Sequence, residues 1–311
     1  MKPITSFALL CAFAAVAQGA VTQPVGYYNF DGKEGSNLFV PALVNAPAFA
    51  GDMTSSDSDT LNVAADSLTA GAFDAAGGFA THYAEIVSGP NEGTVVDIAS
   101  NTGSAIELDG DVSALSLTGT ESIVVRPHVT LKQVLEGGEA SFTGFTDSAT
   151  FYTDEGSLVT YFYDGAGGWT SDFLNPDGNS RPITPGKGFV LSLFADVEFS
   201  VVGEVKEGPT VVQLVGDGAV NIVGPLNPIV GEATRIDELG FENLAPFTDA
   251  LTMYTPGTLS IVGTYFANGE GGVTTDFITP STDTFPHTVG GIISAFAPSS
   301  VKVEPGFTVA P

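Results

Sequence analysis

Two pairs of aspartates have the residue type and spacing of metal ligands. Asp57 and Asp59, and likewise Asp109 and Asp111, place carboxylates two residues apart in turn-like stretches rich in Ser and Gly. Hard cations such as Ca²⁺ prefer oxygen ligands on flexible turns, so these pairs predict a calcium site. Neither pair lies in a twelve-residue loop with a closing Glu. The alternative is a solvated turn that uses Asp for its backbone geometry alone.

One aromatic group has the composition of a sugar-binding strip. Trp169, the single tryptophan, is separated from Tyr161 and Tyr163 by Asp164-Gly165, a strong hairpin signal. Exposed aromatic rings stack on sugar faces, so the group predicts a surface that binds extracellular polysaccharide. The alternative is that these rings pack in a core, as large aromatic side chains commonly do.

No set of residues has the spacing of a known catalytic centre. The histidines His82, His128 and His287 lie in different predicted parts of the chain. His82 and Glu85 are three apart, which puts their side chains on opposite faces of a strand. Sequence motifs for nucleophile elbows, phosphate loops and zinc proteases are missing. We therefore predict that the protein is not an enzyme. The alternative is a hydrolase or lyase acting on polysaccharide, which needs only two of the 36 acidic residues.

Charge and cysteine content exclude several classes of function. The chain has 36 Asp and Glu against 9 Lys and Arg, a formal net charge of −27, and its basic residues are scattered singly. Nucleic acids and anionic membrane surfaces require clustered basic residues, so neither is an expected partner. Cys11 is the one cysteine and lies in the predicted leader. A cysteine-free mature chain has neither disulfides nor thiolate chemistry, and we expect no cofactor apart from Ca²⁺.

The N-terminus has the three-part pattern of a secretory signal peptide. Lys2 precedes an apolar run of 11 residues, from Phe7 to Ala17, and small residues follow at Gly19 and Ala20. The run is shorter than the roughly 20 residues that a membrane helix needs. Residues 1–20 are therefore predicted to be removed, and the protein to be exported to the cell surface, the exterior or the periplasm. No later apolar run is long enough to predict a membrane-spanning segment.

Two parts of the chain are similar enough to predict a duplicated unit. GGWTSDF at residues 167–173 returns as GGVTTDF at 271–277, which is 104 positions later. TDSATFYT at 146–153 returns as TDALTMYT at 248–255. Because each copy must solve the same burial problem, the similarity predicts the same strands and turns twice.

The first copy must also contain an insertion. The strand-like segment around Asn37 has its counterpart around Asn221, an offset of 184 instead of 104, so the first copy holds 184 − 104 = 80 additional residues. The insert, residues 47–127, has six short apolar segments separated by Asp-, Ser- and Gly-rich turns. That pattern favours a small β-barrel, because closure removes exposed strand edges.

These patterns predict an all-β fold with two duplicated β-sandwich-like units, the first interrupted by a small β-barrel-like insert. One short helix per unit is expected, at Thr130–Glu136 and Thr234–Leu239, each with a capping Thr and a terminating Gly. The predicted domains are residues 1–20 (signal peptide), 21–46 with 128–205 (first unit), 47–127 (insert) and 206–311 (second unit).

The order of segments also resembles a known type of protein. A GxNLxxP-type strand, an insert containing IVSGPNEGTVVDIASNTGSAIEL, a TLKQVLEG helix, a hairpin ending in GGW and a PGKGF turn follow one another. This order is similar to a family of uncharacterised secreted, signal-peptide-bearing β-rich repeat proteins of Gram-negative bacteria. The resemblance implies secretion, and it implies no activity. The second copy departs from it, with Val273 where the first has Trp169.

The expected function is accordingly that of an exported, non-enzymatic protein with a structural, adhesive or matrix role at the cell surface. Its expected partners are extracellular polysaccharide, other surface proteins or a second copy of the chain. Self-association is suggested by the apolar N-terminal segment Val25–Phe30, which could pair with the edge of a neighbour's sheet.

Overall fold

The computed structural model describes residues 24–153, 156–224, 226, 234–235, 243–270, 272–276, 279, 281, 284–285 and 291–303. The described chain is almost entirely β-structure, which confirms the all-β fold class. No helix in these ranges is long and apolar enough to cross a membrane. The predicted signal peptide lies outside the described residues.

The strands follow one another in four groups along the chain. Two strands come first: β1 (Val25–Gly32) and β2 (Gly35–Phe39). Six more follow: β3 (Phe49–Ser56), β4 (Thr60–Val63), β5 (His82–Ile86), β6 (Val95–Asn101), β7 (Ala105–Leu108) and β8 (Ser122–Pro127). The third group is β9 (Val129–Thr130), the helix α1 (Leu131–Leu135), β10 (Ser148–Tyr152), β11 (Leu158–Tyr163), β12 (Trp169–Thr170), β13 (Pro182–Ile183), β14 (Phe189–Leu193) and β15 (Val197–Glu204). The last is β16 (Thr210–Leu214), β17 (Asn221–Val223), β18 (Thr234–Arg235), β19 (Ala250–Tyr254), β20 (Ile261–Ala267), β21 (Val273–Thr274), β22 (Thr284–Phe285), β23 (Gly291–Ser294) and β24 (Ser299–Val303).

The first unit is a five-stranded sheet facing a two-stranded ribbon. The sheet has the order β12-β11-β10-β14-β2, and β1 pairs with β15 in the antiparallel ribbon. Alternation along β15 buries Val197, Phe199 and Val201, as its period-two pattern requires. Phe30 of the ribbon meets Phe39 of the sheet edge-on, with ring centroids 4.5 Å apart. The core of the unit therefore lies between the two layers.

Helix α1 closes one end of this core. Thr130 caps it, since its hydroxyl accepts a hydrogen bond from the Gln133 amide at 3.3 Å. Leu131, Val134 and Leu135 are buried, so the predicted apolar face is the packed one. The corresponding helix of the second unit is predicted at Thr234–Leu239; Thr234 and Arg235 form β18, and residues 236–242 lie outside the described residues.

Strands β3 to β8 form a closed barrel in the order β3-β4-β7-β6-β5-β8. All six strands fall within residues 47–127, where the sequence predicts a barrel. Inward-facing side chains such as Ile98, Ile106 and Ile123 are 0% exposed, so the barrel interior is a packed core and not a channel. Closure leaves the insert with no unpaired strand edge.

The second sheet repeats the strand order of the first. Its order is β17-β23-β19-β20-β21, and β16 pairs with β24 in a ribbon, as β1 pairs with β15. The short pair β18-β22 likewise corresponds to β9-β13. The segment 206–210 between the units is buried at both ends, because Lys206 is 1% and Thr210 0% exposed.

A buried asparagine holds the same turn in each unit. The Asn37 side-chain amide donates to the carbonyls of Lys33, Gly35 and Leu191, and its oxygen accepts from the Lys33 amide at 3.0 Å. The Asn221 amide donates to the carbonyls of Val215, Ala219 and Ile293, and its oxygen accepts from the Val215 amide at 2.7 Å. In each unit, one side chain thus forms hydrogen bonds with backbone groups of the turn between ribbon and sheet and of the neighbouring strand in the sheet.

We expect Asn37→Ala to lower the free energy of unfolding by roughly 2–3 kcal/mol, because several buried backbone groups lose their partner. Chemical denaturation measures the loss. Asn29→Ala is the matched control: Asn29 is exposed and its side chain bonds only Ser200, so a change below about 0.5 kcal/mol is expected. Equal losses for the two variants would show that the buried amide has no special role.

Candidate functional site

The aromatic group around Trp169 lies in the core of the first unit. Trp169 is 0%, Tyr161 4% and Tyr163 5% exposed, so the expectation of an exposed sugar-stacking strip at these residues is corrected in favour of core packing. Tyr163 pairs with Trp169 across β11 and β12, and residues 161 and 163 share a strand face, so all three rings point inward. No face of these rings is open to a sugar.

The opposite face of the same hairpin presents phenylalanines instead. Phe162 lies between the two buried tyrosines and points outward. Its ring centroid is 4.9 Å from that of Phe173, with 30° between the ring planes, and the Phe173 centroid is 6.0 Å from that of Phe145. Phe145 is 58% and Phe173 51% exposed. We call Phe145, Phe162 and Phe173 the first phenylalanine patch.

Equivalent phenylalanines occupy the second unit. Phe247 corresponds to Phe145 and is 51% exposed, and Phe266 corresponds to Phe162 on the equivalent strand. The counterpart of Phe173 is Phe277, which lies outside the described residues. We call Phe247 and Phe266 the second phenylalanine patch. The sequence therefore keeps exposed aromatic rings at matching places in both units.

The backbone at these rings is in a conformation that phenylalanine rarely adopts. The φ angles of Phe145, Phe173 and Phe247 are 57°, 62° and 59°. The left-handed region costs a bulky L-residue roughly 1–2 kcal/mol, and Gly or Asn would occupy it at lower cost. Strained residues of this kind cluster at functional sites. Neither burial nor backbone preference explains a phenylalanine here.

A buried aspartate fixes the turn below each patch. Asp147, 1% exposed, accepts hydrogen bonds from the amides of Thr143 and Phe194, both at 2.7 Å. Asp249, also 1% exposed, accepts from the amides of Ala245 and Phe296 at 2.8 and 2.7 Å. Phe194 and Phe296 are themselves 64% and 72% exposed, so each aspartate anchors a further exposed phenylalanine.

Asp172 and its counterpart Asp276 each accept a hydrogen bond from the backbone of their own turn. Asp172 accepts from the amides of Leu174 and Asn175 at 2.8 and 2.9 Å, and these bonds, that of Asn175 first, lower its pKa to about 2. Asp276 accepts from the Thr279 amide at 2.7 Å. A carboxyl with a pKa near 2 is a poor general acid and a weak base at neutral pH. Asp172 is therefore poorly suited to either role of a hydrolase carboxylate.

The four aspartates predicted to bind calcium lie on neighbouring exposed turns. The Leu108 amide donates to the Asp59 carbonyl at 2.8 Å, which brings the turn of Asp57 and Asp59 next to that of Asp109 and Asp111. The Asp111 carboxylate accepts from the Ser113 amide, and the pKa of Asp111 is lowered first by the Ser113 side chain and then by this amide. Among the described residues, no three His, Cys, Asp or Glu side chains converge as metal ligands would.

Two histidines expected in separate places lie together. The register of β5 and β8 sets His82 opposite Pro127, and the His128 amide donates to Thr81. His128 Nε2 is 3.0 Å from Asp97 Oδ1, without the alignment of a hydrogen bond. Burial, and then the nearby His128, lower the pKa of His82. His287 lies outside the described residues.

Four buried charged side chains join the barrel to the first unit and to the segment that leads to the second. Lys206 Nζ is 2.6 Å from Glu85 Oε1, and Arg126 Nη1 is 2.9 Å from Glu204 Oε1. Arg126 Nε lies 3.6 Å from the other Glu85 oxygen. Glu85 and Arg126 belong to barrel strands, Glu204 ends β15, and Lys206 follows it. We call this set the charged clamp.

A cavity of about 380 Å³ is lined by Glu85, Arg126 and Lys206 of the clamp, whose charges are already paired within the clamp. The Lys206 ammonium also donates to the carbonyls of Gly208, at 2.9 Å, and Pro209, so three acceptors surround it. Burial lowers the pKa of Lys206, and Glu85 opposes that shift. A fully partnered ammonium of this kind supports a structural role better than a nucleophilic one.

Comparison with known proteins adds no relative. The chain matches no protein-family model, no curated protein and no solved structure. Its functional residues must therefore be inferred from geometry.

Sequence reasoning missed the phenylalanine patches, although a signal existed: Phe145, Phe162 and Phe173 each recur as phenylalanine at the matching position of the second copy.

We expect Lys206→Met to cost roughly 3–5 kcal/mol of stability, because it leaves the Glu85 carboxylate buried with one distant partner. Equilibrium unfolding measures the loss. Lys33→Met removes the same charge from an exposed pair with Asp31 and should have a much smaller effect. The double variant Lys206→Met with Glu85→Gln should recover part of the stability. If Lys206→Met costs no more than Lys33→Met, the clamp does not hold the fold.

Proposed function

We propose that the protein is an exported, non-enzymatic component of the cell surface or its matrix, and that the two phenylalanine patches are its adhesive surfaces. The observation that carries this proposal is the recurrence of exposed phenylalanines at equivalent places of both units, in strained backbone at Phe145 and Phe247. The proposed export rests on the signal peptide predicted from the N-terminal sequence.

Two adhesive surfaces on one chain suit assembly better than the capture of one small ligand. A molecule with two equivalent patches can join two neighbours, and such bivalent contacts build chains or networks. Phenylalanine rings carry no hydrogen-bonding group, so they favour an apolar partner surface. A second copy of the chain supplies that surface. We therefore take self-association through the patches as the basis of the matrix role.

Charge limits the conditions under which copies associate. At a formal net charge of −27, copies repel one another at low ionic strength. Salt at 0.15 M reduces the range of that repulsion to about 8 Å, and contact between apolar patches is then less opposed. Association should accordingly increase with salt, as hydrophobic contacts between like-charged molecules do.

Carbohydrate binding is the second candidate function, and the structure favours it at residues other than Trp169. Phe162 and Phe173 lie on the exposed side of the hairpin, with their ring planes 30° apart. Such a surface could stack on sugar rings of an extracellular polysaccharide. In that case the patches bind polymer while the protein itself remains monomeric.

The test removes the patches one at a time. Asn tolerates the left-handed backbone, so Phe145→Asn with Phe173→Asn should abolish the first patch without unfolding the turn. Adding Phe247→Asn abolishes the second. In sedimentation velocity at 0.15 M salt, we expect the native chain to form species larger than dimers, the one-patch variant to stop at dimers, and the variant lacking both patches to be monomeric.

Leu158→Asn is the control, because Leu158 is 58% exposed and belongs to neither patch. It should associate like the native chain. Association of the variant lacking both patches at the native level would overturn the proposal. A monomeric native chain that is retained on insoluble polysaccharide, with retention lost in the patch variants, would establish the carbohydrate function instead.

A further inference from the structure

A second cavity, of about 370 Å³, lies between the barrel and the first unit. Phe79, Asp97 and Asp109 line it from the barrel side, and Phe151, Arg181 and Thr184 line it from the first unit. The volume is within the range of about 300–1,000 Å³ that small-molecule sites occupy. It is large enough for a molecule of monosaccharide size.

Arg181 stands out in this cavity because no anionic partner of its charge is found among the described residues. Its guanidinium carbon is 5.4 Å from the ring centroid of Phe79 and 5.2 Å from that of Phe151, so the cation lies between two aromatic rings. Its Nε is buried without a hydrogen-bond acceptor. Within the described part of the chain, no carboxylate forms an ion pair with it, although acidic residues outnumber basic ones 36 to 9.

The position of Arg181 is fixed by its backbone. Its amide donates to the Gly178 carbonyl at 3.0 Å, and its carbonyl accepts from the Leu131 amide at 2.9 Å. The next two residues form β13, which pairs with β9. A guanidinium that lines the cavity and is held by its backbone and by two rings is preorganised for an acceptor from outside the protein.

The charges of the lining select the kind of anion. Arg181 and Lys187 contribute two positive charges, and Asp97 and Asp109 two negative ones. The two aspartates repel a doubly charged phosphate more strongly than a singly charged group at Arg181. The planar guanidinium fork matches a carboxylate. The aspartates and Thr184 offer acceptors for hydroxyl groups on the rest of the ligand.

We infer that this cavity binds a small hydroxylated carboxylate of sugar-acid size, with its carboxylate at Arg181 and its hydroxyls toward the aspartates. Such a site is separate from the phenylalanine patches and does not depend on association. The carboxylate could belong to a free sugar acid or to the end of a polyuronate chain, since both offer the same group.

Isothermal titration of the full chain with D-glucuronate and with D-glucose tests the inference, because the two sugars differ at the carboxylate. Glucuronate should bind at least about tenfold more tightly, the ratio that one charge-assisted hydrogen bond supplies. Arg181→Met keeps an apolar stem between the rings and should remove this preference. Lys132→Met, which takes the same charge from the pair with Glu139, should keep it.

A thermal melt of the Arg181→Met variant shows whether it is folded. Melts of the native chain give a second measure of binding, because glucuronate, and not glucose, should raise its melting temperature. A polyuronate titrated in parallel distinguishes a free sugar acid from a polymer end. Binding of one protein molecule per polymer molecule indicates that the end of the polymer is captured. Failure of glucuronate to bind the native chain, or equal binding by a folded Arg181→Met variant, would overturn the inference. Neither result bears on self-association through the patches.

Discussion

The charged clamp is the interaction on which the arrangement of the parts depends. Two acids and two bases, each less than a tenth exposed, are buried where the barrel, the end of β15 and the segment toward the second unit meet. Burying charges costs free energy unless they are paired, and here each charge lies near an opposite one. The pairing works only when these parts are correctly placed. The clamp therefore specifies one arrangement more than it adds stability.

Each unit then holds its exposed rings with buried polar groups. Asp147 and Asp249 each bind two backbone amides, and Asn37 and Asn221 close the turn between ribbon and sheet. A buried carboxylate must find donors, so it fixes the turn to which those donors belong. The turn can then carry a strained phenylalanine at its exposed side. Hydrogen bonds buried in the core thus hold an apolar side chain at the surface.

Much of the fold could be predicted from the sequence. Short apolar segments between turn residues predict six strands within residues 47–127, and the structure has six strands there. The offsets of 104 and 184 locate the insert, because they need only residue identity and not geometry. Thr130 caps its helix as its residue type predicts.

The candidate site was harder to predict, because alternation tells which residues share a face but not which face is buried. Tyr161, Tyr163 and Trp169 were correctly grouped, yet the group points inward and Phe162 points out. His82 and His128 were separated because strand register is not visible in sequence. No sequence pattern points to Arg181 as a site residue, because its two aromatic neighbours come from distant segments of the chain. Contacts of long sequence separation account for each of these differences.

The proposed function requires that the phenylalanine turns of both units form contact surfaces between molecules. Hydrogen–deuterium exchange of the native chain, compared between dilute and concentrated solutions at 0.15 M salt, tests it most directly. Association through the phenylalanine patches predicts slower exchange in the concentrated solution at both turns, residues 143–147 and 245–249. Protection confined to β1 and β15, with both turns unchanged, would contradict it and point to pairing through the ribbon edge.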